Sequence, residues 1–240
     1  MTDLSPKIQH HHFADSAALA ESLAAAVADD LRAGVAAHGQ ASVALSGGNT
    51  PKRFMQALSQ QPLDWDKIVV TLVDERWVPA THERSNAKLV QENLLQGPAA
   101  AARFVSLYRD LPDRSPAEPE SAAAELEADL PQSFDAMVLG MGADGHTASF
   151  FPGGDRLAEA LDPAGIARVL PMRAPGAGEP RITLTLPVLL AAHRLYLHIE
   201  GAEKQTVLQQ ALSGEGEGKD YPVRTVLAHV ARPIAVFSCP

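Results

Sequence analysis

Short apolar runs alternate with longer amphipathic stretches along most of the chain. The runs that predict strands are "ASVAL", the β-branched "KIVVTLVDE", "RFVSL", "FDAMVLG", "ARVLPMR", "RITLTL", "HRLYLHIE" and "PIAVFS". They are apolar nearly throughout, which is typical of a sheet that is covered on both faces. Strands that alternate with helices predict an α/β fold with a largely parallel central sheet and helices on both of its faces.

The helices are predicted from their periodicity and from their start signals. The Ala-rich segment 15–38 predicts a helix capped by Asp15 or Ser16, and "SNAKLVQENLL" a helix capped by Ser85. In "TPKRFMQAL", Thr50 is the expected N-cap and Pro51 the first helical residue. Further helices are predicted in "SAAAELEADL", "PVLLAA", "GAEKQTVLQQAL" and "PVRTVLAHV".

The remaining segments are predicted to be loops or a free terminus. The Pro-rich stretch "LPDRSPAEPE" predicts a loop. We interpret "MTDLSPKIQHHHF" as a flexible, partly solvated terminus rather than as a metal site at His10–His12. This segment lacks the apolar core of a signal peptide, and no apolar run approaches the roughly 20 residues of a membrane span. The chain is therefore expected not to associate with membranes. Because neither a repeat nor a linker is visible, residues 1–240 are predicted to form a single α/β domain.

Composition and charge narrow the classes of function. Apolar residues make up 46% of the 240 residues and charged residues 20%, which is typical of a soluble globular protein. The net charge of −9 argues against nucleic-acid binding. An anionic small molecule stays compatible with it, because distant charges are screened within about 10 Å. The single cysteine, Cys239, excludes an intrachain disulfide and fits a reducing compartment such as the cytoplasm.

Two loops that follow predicted strands carry candidate binding residues. In an open α/β sheet, ligands bind outside the carboxyl ends of the strands. The loop "SGGNTP", residues 46–51, offers bare backbone N–H groups before a helix start, so it either cradles a phosphate or forms a tight turn. The triplet Asp74, Glu75 and Arg76 directly follows a strand, and either binds a ligand or forms a structural cluster of charges.

The third strand-end loop, "LGMGADGHTASFFPG", points to a reacting histidine. Gly140, Gly142 and Gly145 allow the main chain to turn sharply and to approach a ligand closely. His146 can exchange a proton near neutral pH, and Asp144, two residues earlier, can orient its ring. Since the chain has neither a GxSxG elbow nor an HExxH motif, we favour general-base catalysis with water, without a covalent intermediate, metal or other cofactor.

Two basic residues further along the chain are candidate anion ligands. Arg181 opens the predicted strand "RITLTL", and its planar guanidinium matches the geometry of a phosphate. Lys204 lies in the first turn of a predicted helix, where a cation opposes the helix dipole. A bound anion would relieve that conflict, and a solvated lysine is the alternative.

Taken together, these motifs resemble the 6-phosphogluconolactonase family. The matching pieces occur in order between Ala44 and Lys204: "ALSGGNTPKRF", "LVDERWVP" followed by "ERSN", "LGMGADGHTASFFPG", "PRITLT" and "GAEK". The resemblance implies the fold shared with glucosamine-6-phosphate deaminases and ribose-5-phosphate isomerases. It also implies metal-independent hydrolysis of the δ-lactone of 6-phosphogluconate, in the oxidative pentose phosphate pathway.

The resemblance also assigns roles to residues. It makes His146 the general base, Asp144 its neighbour and Arg76 an active-site arginine. The positions that it implies for phosphate and substrate binding are Ser46, Gly47, Gly48, Asn49, Thr50, Arg181 and Lys204, with Asp74 and Gly145 as further candidates. The partner expected is therefore a phosphorylated sugar lactone, bound by a monomer or small homo-oligomer.

Two alternatives remain. The related deaminases share the "GxGxDGH" core but carry a functional Glu five residues after the histidine, where this chain has Phe151, and read "DEY" where it reads "DER". Both departures favour the lactonase. A sugar-phosphate-binding regulator without catalysis is the second alternative, but such proteins usually carry an added DNA-binding domain, for which the pattern of strands and helices leaves no room.

Lactone hydrolysis by this chain is expected to survive exhaustive chelation, because the sequence has no cluster of Cys and His residues with metal-ligand spacing. The measurement is the rate on fresh lactone before and after treatment with a chelator. Loss of activity that one particular divalent ion restores would contradict the metal-free interpretation.

Overall fold

A seven-stranded parallel sheet forms the centre of the fold. The computed structural model describes residues 2–110 and 118–240, so most of the predicted Pro-rich loop lies outside the described residues. The strand order in this sheet is β1-β10-β9-β6-β2-β3-β5, and every neighbouring pair is parallel. Its strands are β1 (Ile8–His12), β2 (Ala41–Leu45), β3 (Ile68–Leu72), β5 (Arg103–Phe104), β6 (Ala136–Leu139), β9 (Arg194–Glu200) and β10 (Ile234–Cys239).

Helices flank this sheet. In the described part of the chain they are α1 (Ser16–His38), α2 (Lys52–Ser59), α3 (Asn86–Asn93), α4 (Ala123–Asp129), α5 (Leu157–Ala160), α6 (Leu186–Leu190), α7 (Ala202–Ser213) and α8 (Pro222–His229). Every residue of β2 and of β6 is buried, as expected for central strands covered on both faces. None of the helices in the described ranges combines the length and the apolar character needed to cross a bilayer.

The predicted helix starts agree with the structure at two of three positions. Asp15 caps α1, and its Oδ1 accepts hydrogen bonds from the backbone N–H groups of Ala17 and Ala18, both at 2.9 Å. Ser85 caps α3 in the same way. The prediction for α2 was wrong, because Pro51 takes the N-cap position and the helix begins at Lys52 without a side-chain cap. The hydroxyl of Thr50 is instead a partner of Lys204.

The prediction of a flexible N-terminus was also wrong. His10–His12 belong to β1, the edge strand that pairs in parallel with β10. The ring of His11 stacks on that of Phe237, with 4.8 Å between the ring centroids. An edge strand is held chiefly by backbone hydrogen bonds and leaves most of its side chains in solvent, so its polar sequence carries no strand pattern. The short helix α5 was missed as well.

A second, three-stranded antiparallel sheet lies beside the first, in the order β4-β8-β7. Its strands are β4 (Asp74–Arg76), β7 (Val169–Met172) and β8 (Arg181–Leu184). The chain passes from β3 through Val73 into β4, and thereby leaves the parallel sheet. The register places Arg76 directly opposite Arg181, so the small sheet brings together two cations that are far apart in sequence.

Candidate active site

A cleft of about 210 Å³ opens at the carboxyl ends of β2, β6 and β9. The chain leaves β2 toward β3 on one side and returns in β6 on the other, so the cleft lies where ligands bind in open α/β sheets. The predicted site residues that line it are Ser46, Gly47, Gly48, Asn49, Thr50, Asp74, Arg76, His146, Arg181 and Lys204. Asp144 and Gly145 lie outside its wall.

His146 and Asp144 form a closely held pair. Nδ1 of the imidazole lies 2.5 Å from Oδ1 of Asp144, which also accepts the backbone N–H of His146 at 3.2 Å. Burial acts to raise the pKa of Asp144, but the hydrogen bonds and charge of His146 outweigh it and lower the pKa. The carboxylate is therefore ionised and can only accept, so in the neutral form of the ring Nδ1 carries the proton. In that tautomer the lone pair lies on Nε2, as a general base requires.

Gly142 makes this pair possible. A Cβ at residue 142 would lie 2.3 Å from Nδ1 of His146 and 2.7 Å from Oδ1 of Asp144. The loop is closed by a hydrogen bond from the N–H of Gly142 to the carbonyl of His146, at 2.9 Å. Gly145 is required for two other reasons: its φ is +72°, and a side chain there would collide with Tyr221. Of the loop glycines, Gly142 thus bears most directly on His146.

Arg76 and Arg181 form a cationic wall opposite this loop. They are cross-strand neighbours, and Arg181 is only 5% exposed. Asp74 is the counter-charge, with 3.7 Å between its Oδ2 and Nη1 of Arg181, and it also accepts a hydrogen bond from Ser149 at 2.6 Å. Burial lowers the pKa of Arg181, Asp74 opposes that shift, and Arg76 adds to it. Asp74 pairs with Arg181, while Arg76 donates to the carbonyl of Arg84, so the two guanidinium groups keep positive charge that favours an anionic ligand beside them.

Glu75 serves the structure rather than the cleft. Its carboxylate is fully buried and accepts backbone N–H groups from Arg76, Asn86 and Ala87, each at 2.7 Å. The last two are the first residues of α3, so the carboxylate joins β4 to that helix. The triplet predicted at this place therefore divides into two side chains that line the cleft and one that supports them.

The glycine loop forms the third side of the cleft. A Cβ on Gly47 would lie 1.8 Å from Oδ1 of Asn86, so only glycine fits against that side chain. Gly48 has a φ of +95°, which turns the chain from β2 toward α2. The loop is tied to the neighbouring strand end, because the N–H of Gly140 donates to Oγ of Ser46 at 3.1 Å.

Lys204 reaches this loop from the first turn of α7. Its Nζ donates a hydrogen bond to Oγ1 of Thr50 at 3.2 Å. Burial lowers the pKa of the ammonium, and the carboxylates of Glu200 and Glu203 oppose that shift. A half-buried cation at the positive end of a helix is poorly placed unless an anion joins it. Lys204 therefore points to the glycine loop as an anion subsite.

The unpartnered polar atoms of the protein gather at this cleft. In residues 2–110 and 118–240, the buried side-chain atoms without a hydrogen-bond partner are Arg76 Nε, Asn86 Oδ1, Glu179 Oε2, Arg181 Nε and His198 Nδ1. Four of these five atoms belong to residues that line the cleft. Since buried polar groups are nearly always paired in folded proteins, this concentration indicates a site that a polar ligand completes.

Comparison with known proteins agrees with the motifs and the fold. Residues 14–234 match the family described as glucosamine-6-phosphate isomerases/6-phosphogluconolactonase. A 6-phosphogluconolactonase of Rhizobium meliloti is 50% identical over 234 residues, which cover 96% of this chain and 98% of that protein. One from Pseudomonas aeruginosa is 47% identical over 219 residues, with 90% and 89% covered. The crystal structure of a 6-phosphogluconolactonase from Shewanella baltica OS155 matches with a TM-score of 0.90 at 37% identity, and covers 100% of both chains.

This chain belongs to the glucosamine-6-phosphate isomerase/6-phosphogluconolactonase family. The family that the motifs indicated is thus confirmed, and so is the largely parallel α/β fold.

The polar and aromatic residues of the cleft that were not singled out as site residues from the sequence are Asn86, Phe54 and His198. Asn86 ends the "ERSN" motif, and its Nδ2 donates to the carbonyl of Asp74 at 2.8 Å. Phe54 and His198 face each other edge to ring, with 6.2 Å between their centroids. The alternation of β9 puts His198 and Glu200 on the same face, which was the one sequence signal that could have identified this histidine.

Phe151 packs against two residues that line the cleft, His146 and Arg181. Its ring centroid lies 4.3 Å from that of His146, and the guanidinium carbon of Arg181 lies 5.2 Å from it. Contacts of a cation with an aromatic face contribute about 0.5–2 kcal/mol. The position at which the related deaminases carry a glutamate therefore holds, in this chain, an aromatic ring that contacts both His146 and Arg181.

Substituting Gly142→Ala should displace His146 and lower turnover at least about tenfold with the fold retained, because a misplaced catalytic group costs rate steeply. Gly176→Ala is the matched control, since a Cβ there would meet no atom within 4 Å and the residue lies outside the cleft. The measurement is kcat for both variants, together with their thermal unfolding. Equal activity of the two variants would show that the close approach at Gly142 does not position His146.

Proposed function

We propose that this chain hydrolyses 6-phospho-D-glucono-1,5-lactone to 6-phospho-D-gluconate. The observation that carries the proposal is the His146–Asp144 pair, which leaves Nε2 free as a base in a cleft that also holds Arg76, Arg181 and Lys204. One base and several cations suit the attack of water on an anionic ester. The similarity to 6-phosphogluconolactonases over nearly the whole chain supports the same reaction.

The proposed chemistry begins with water. Nε2 of His146 takes a proton from a water molecule as the water oxygen attacks C1 of the lactone. Negative charge then develops on the carbonyl oxygen, and we assign its stabilisation to Arg76, whose buried Nε has no other partner. When the bond between C1 and the ring oxygen breaks, protonated His146 returns the proton to that oxygen. Asp144 holds the ring in place and stabilises its charged form.

The phosphate of the substrate is placed at the other end of the cleft. We assign it to the glycine loop, residues 46–50, together with Arg181 and Lys204. The start of α2 has no side-chain cap, so its free N–H groups add to the attraction for an anion. Anchoring the phosphate fixes C1 near His146, and holding reactants in place contributes several kcal/mol to catalysis in well-oriented systems.

The deaminase alternative is not favoured. At the position of the functional glutamate of that reaction this chain has Phe151, whose buried ring packs at a tilt against His146 and can neither give nor take a proton. The regulator alternative would leave the closely held Asp144–His146 pair without a use.

We further propose the setting in which the reaction takes place. The expected activity places the chain in the oxidative pentose phosphate pathway. The single buried cysteine fits the cytoplasm. We propose that residues 1–240 act as a single domain, as a monomer or small homo-oligomer.

Replacing His146 tests the base directly. His146→Ala should lower turnover on freshly prepared lactone by roughly 10²–10⁴-fold, the usual contribution of a positioned base. The rate is measured above spontaneous hydrolysis, and the fold is checked by circular dichroism. His38→Ala, at the exposed end of α1, is the control and should keep full activity. A folded His146→Ala variant with near-normal turnover would remove His146 from the mechanism.

Replacing Lys204 tests the phosphate subsite. Lys204→Met keeps the length of the side chain and removes its charge, so kcat/KM on the phosphorylated lactone should fall at least about tenfold. Hydrolysis of unphosphorylated gluconolactone should barely change. Lys219→Met, on the exposed loop before α8, is the control for loss of charge alone. Equal losses on both substrates, or no loss on either, would place the phosphate elsewhere.

A further inference from the structure

His198 is a buried histidine beside the proposed phosphate subsite. It lies on β9, two residues before the end of the strand, and is 2% exposed, yet it is one of the residues that line the cleft. Nε2 lies 2.9 Å from Oε1 of Glu200. Nδ1 is buried and has no hydrogen-bond partner. The proposed mechanism makes no use of this ring.

Groups from the neighbouring elements define its surroundings. Glu200 also accepts a hydrogen bond from Ser16 of α1 at 3.1 Å, which fixes the carboxylate beside the ring. Lys204 of α7 is close enough to His198 for its positive charge to act on the imidazole. Phe54 of α2 contributes an apolar edge. On β10, the thiol of Cys239 lies near Glu200, and burial raises its pKa, so it stays neutral near neutral pH.

We propose that His198 is a third cation of the phosphate site, which takes up a proton when a phosphorylated ligand binds. This inference rests on the function proposed above, and concerns how the same cleft recognises its phosphate. When its ring is protonated, His198 places a positive charge in the wall of the cleft, near Lys204. A dianionic phosphate in the cleft stabilises that charge.

The balance of charges gives the direction of the effect. In the empty cleft, burial lowers the pKa of His198, Glu200 opposes that shift, and Lys204 adds to it. The ring is then neutral at neutral pH, so Lys204 does not face a second positive charge. A bound phosphate brings nearly two negative charges and favours the protonated ring. The pKa of His198 therefore rises on binding, and a proton is taken up.

This coupling has a consequence for affinity. A ligand that raises the pKa of a group binds more tightly at a pH where the group is protonated. Affinity for a phosphorylated ligand should therefore increase as the pH falls through the interval between the two pKa values of His198. Below about pH 6 the ligand phosphate itself gains a proton and the attraction weakens. An unphosphorylated ligand should show neither effect.

The test is an NMR titration of the histidine rings in the full-length protein, with and without saturating 6-phosphogluconate, the stable product. His198→Gln, whose amide nitrogen can still reach Glu200, assigns the signal of His198 among the nine histidines. We expect 6-phosphogluconate to raise the pKa of His198 by about one unit or more, and gluconate to leave it unchanged. The product dissociation constant of His198→Gln should lose most of its dependence on pH between about 6 and 8.

The outcomes separate this inference from the function on which it rests. Turnover and product binding with an unshifted His198 pKa would overturn the inference alone. An unchanged pH dependence of product binding in a folded His198→Gln variant would do the same. A protein that neither binds 6-phosphogluconate nor hydrolyses the lactone would overturn both.

Discussion

A buried carboxylate, Glu75, determines how the cleft is built. It accepts three backbone N–H groups, one from β4 and two from the start of α3, and hydrogen bonds to a charged group contribute about 1.5–3 kcal/mol each. By holding β4 it directs Asp74 and Arg76 into the cleft. By holding α3 it places Asn86 against Gly47, and so fixes the glycine loop. Burial raises the pKa of this carboxyl group, and the three N–H groups oppose that shift.

The cleft concentrates polar groups that the rest of the fold avoids. Arg76 and Arg181 lie opposite each other on two adjacent strands, Asp74 pairs with Arg181, and each arginine keeps a buried Nε without a partner. Such an arrangement costs stability in the absence of a ligand, because each unpaired buried donor loses its hydration. The fully buried strands β2 and β6, which end at the cleft, offset this cost by burying apolar surface. The charged side chains of the cleft are thus preorganised, so a ligand does not have to rearrange them.

Much of this arrangement could be predicted from the sequence, because local signals carried it. Short apolar runs indicated eight of the strands, and the glycines next to Asp144 and His146 indicated the loop for which we propose the base. The edge strand β1 could not be predicted, since most of its polar side chains face solvent and it is held chiefly by backbone pairing with β10. The pairing of β4 with β8 was likewise hidden, because it joins segments about a hundred residues apart through tertiary contacts. For the same reason, the sequence did not show that Arg76 and Arg181 are cross-strand neighbours.

The aromatic ring of Phe151 links the two halves of the proposed chemistry. One contact of this ring is with the imidazole of His146, and another is with the guanidinium of Arg181. A buried aromatic ring restricts both neighbours to a narrow range of positions without competing for their hydrogen bonds. An ionisable side chain at this position would instead interact electrostatically with His146 and pair with Arg181. With a ring rather than a carboxylate at this position, Asp144 is the carboxylate paired with His146, and Arg181 gains no second close carboxylate beside Asp74, which suits the anion-binding role proposed for it.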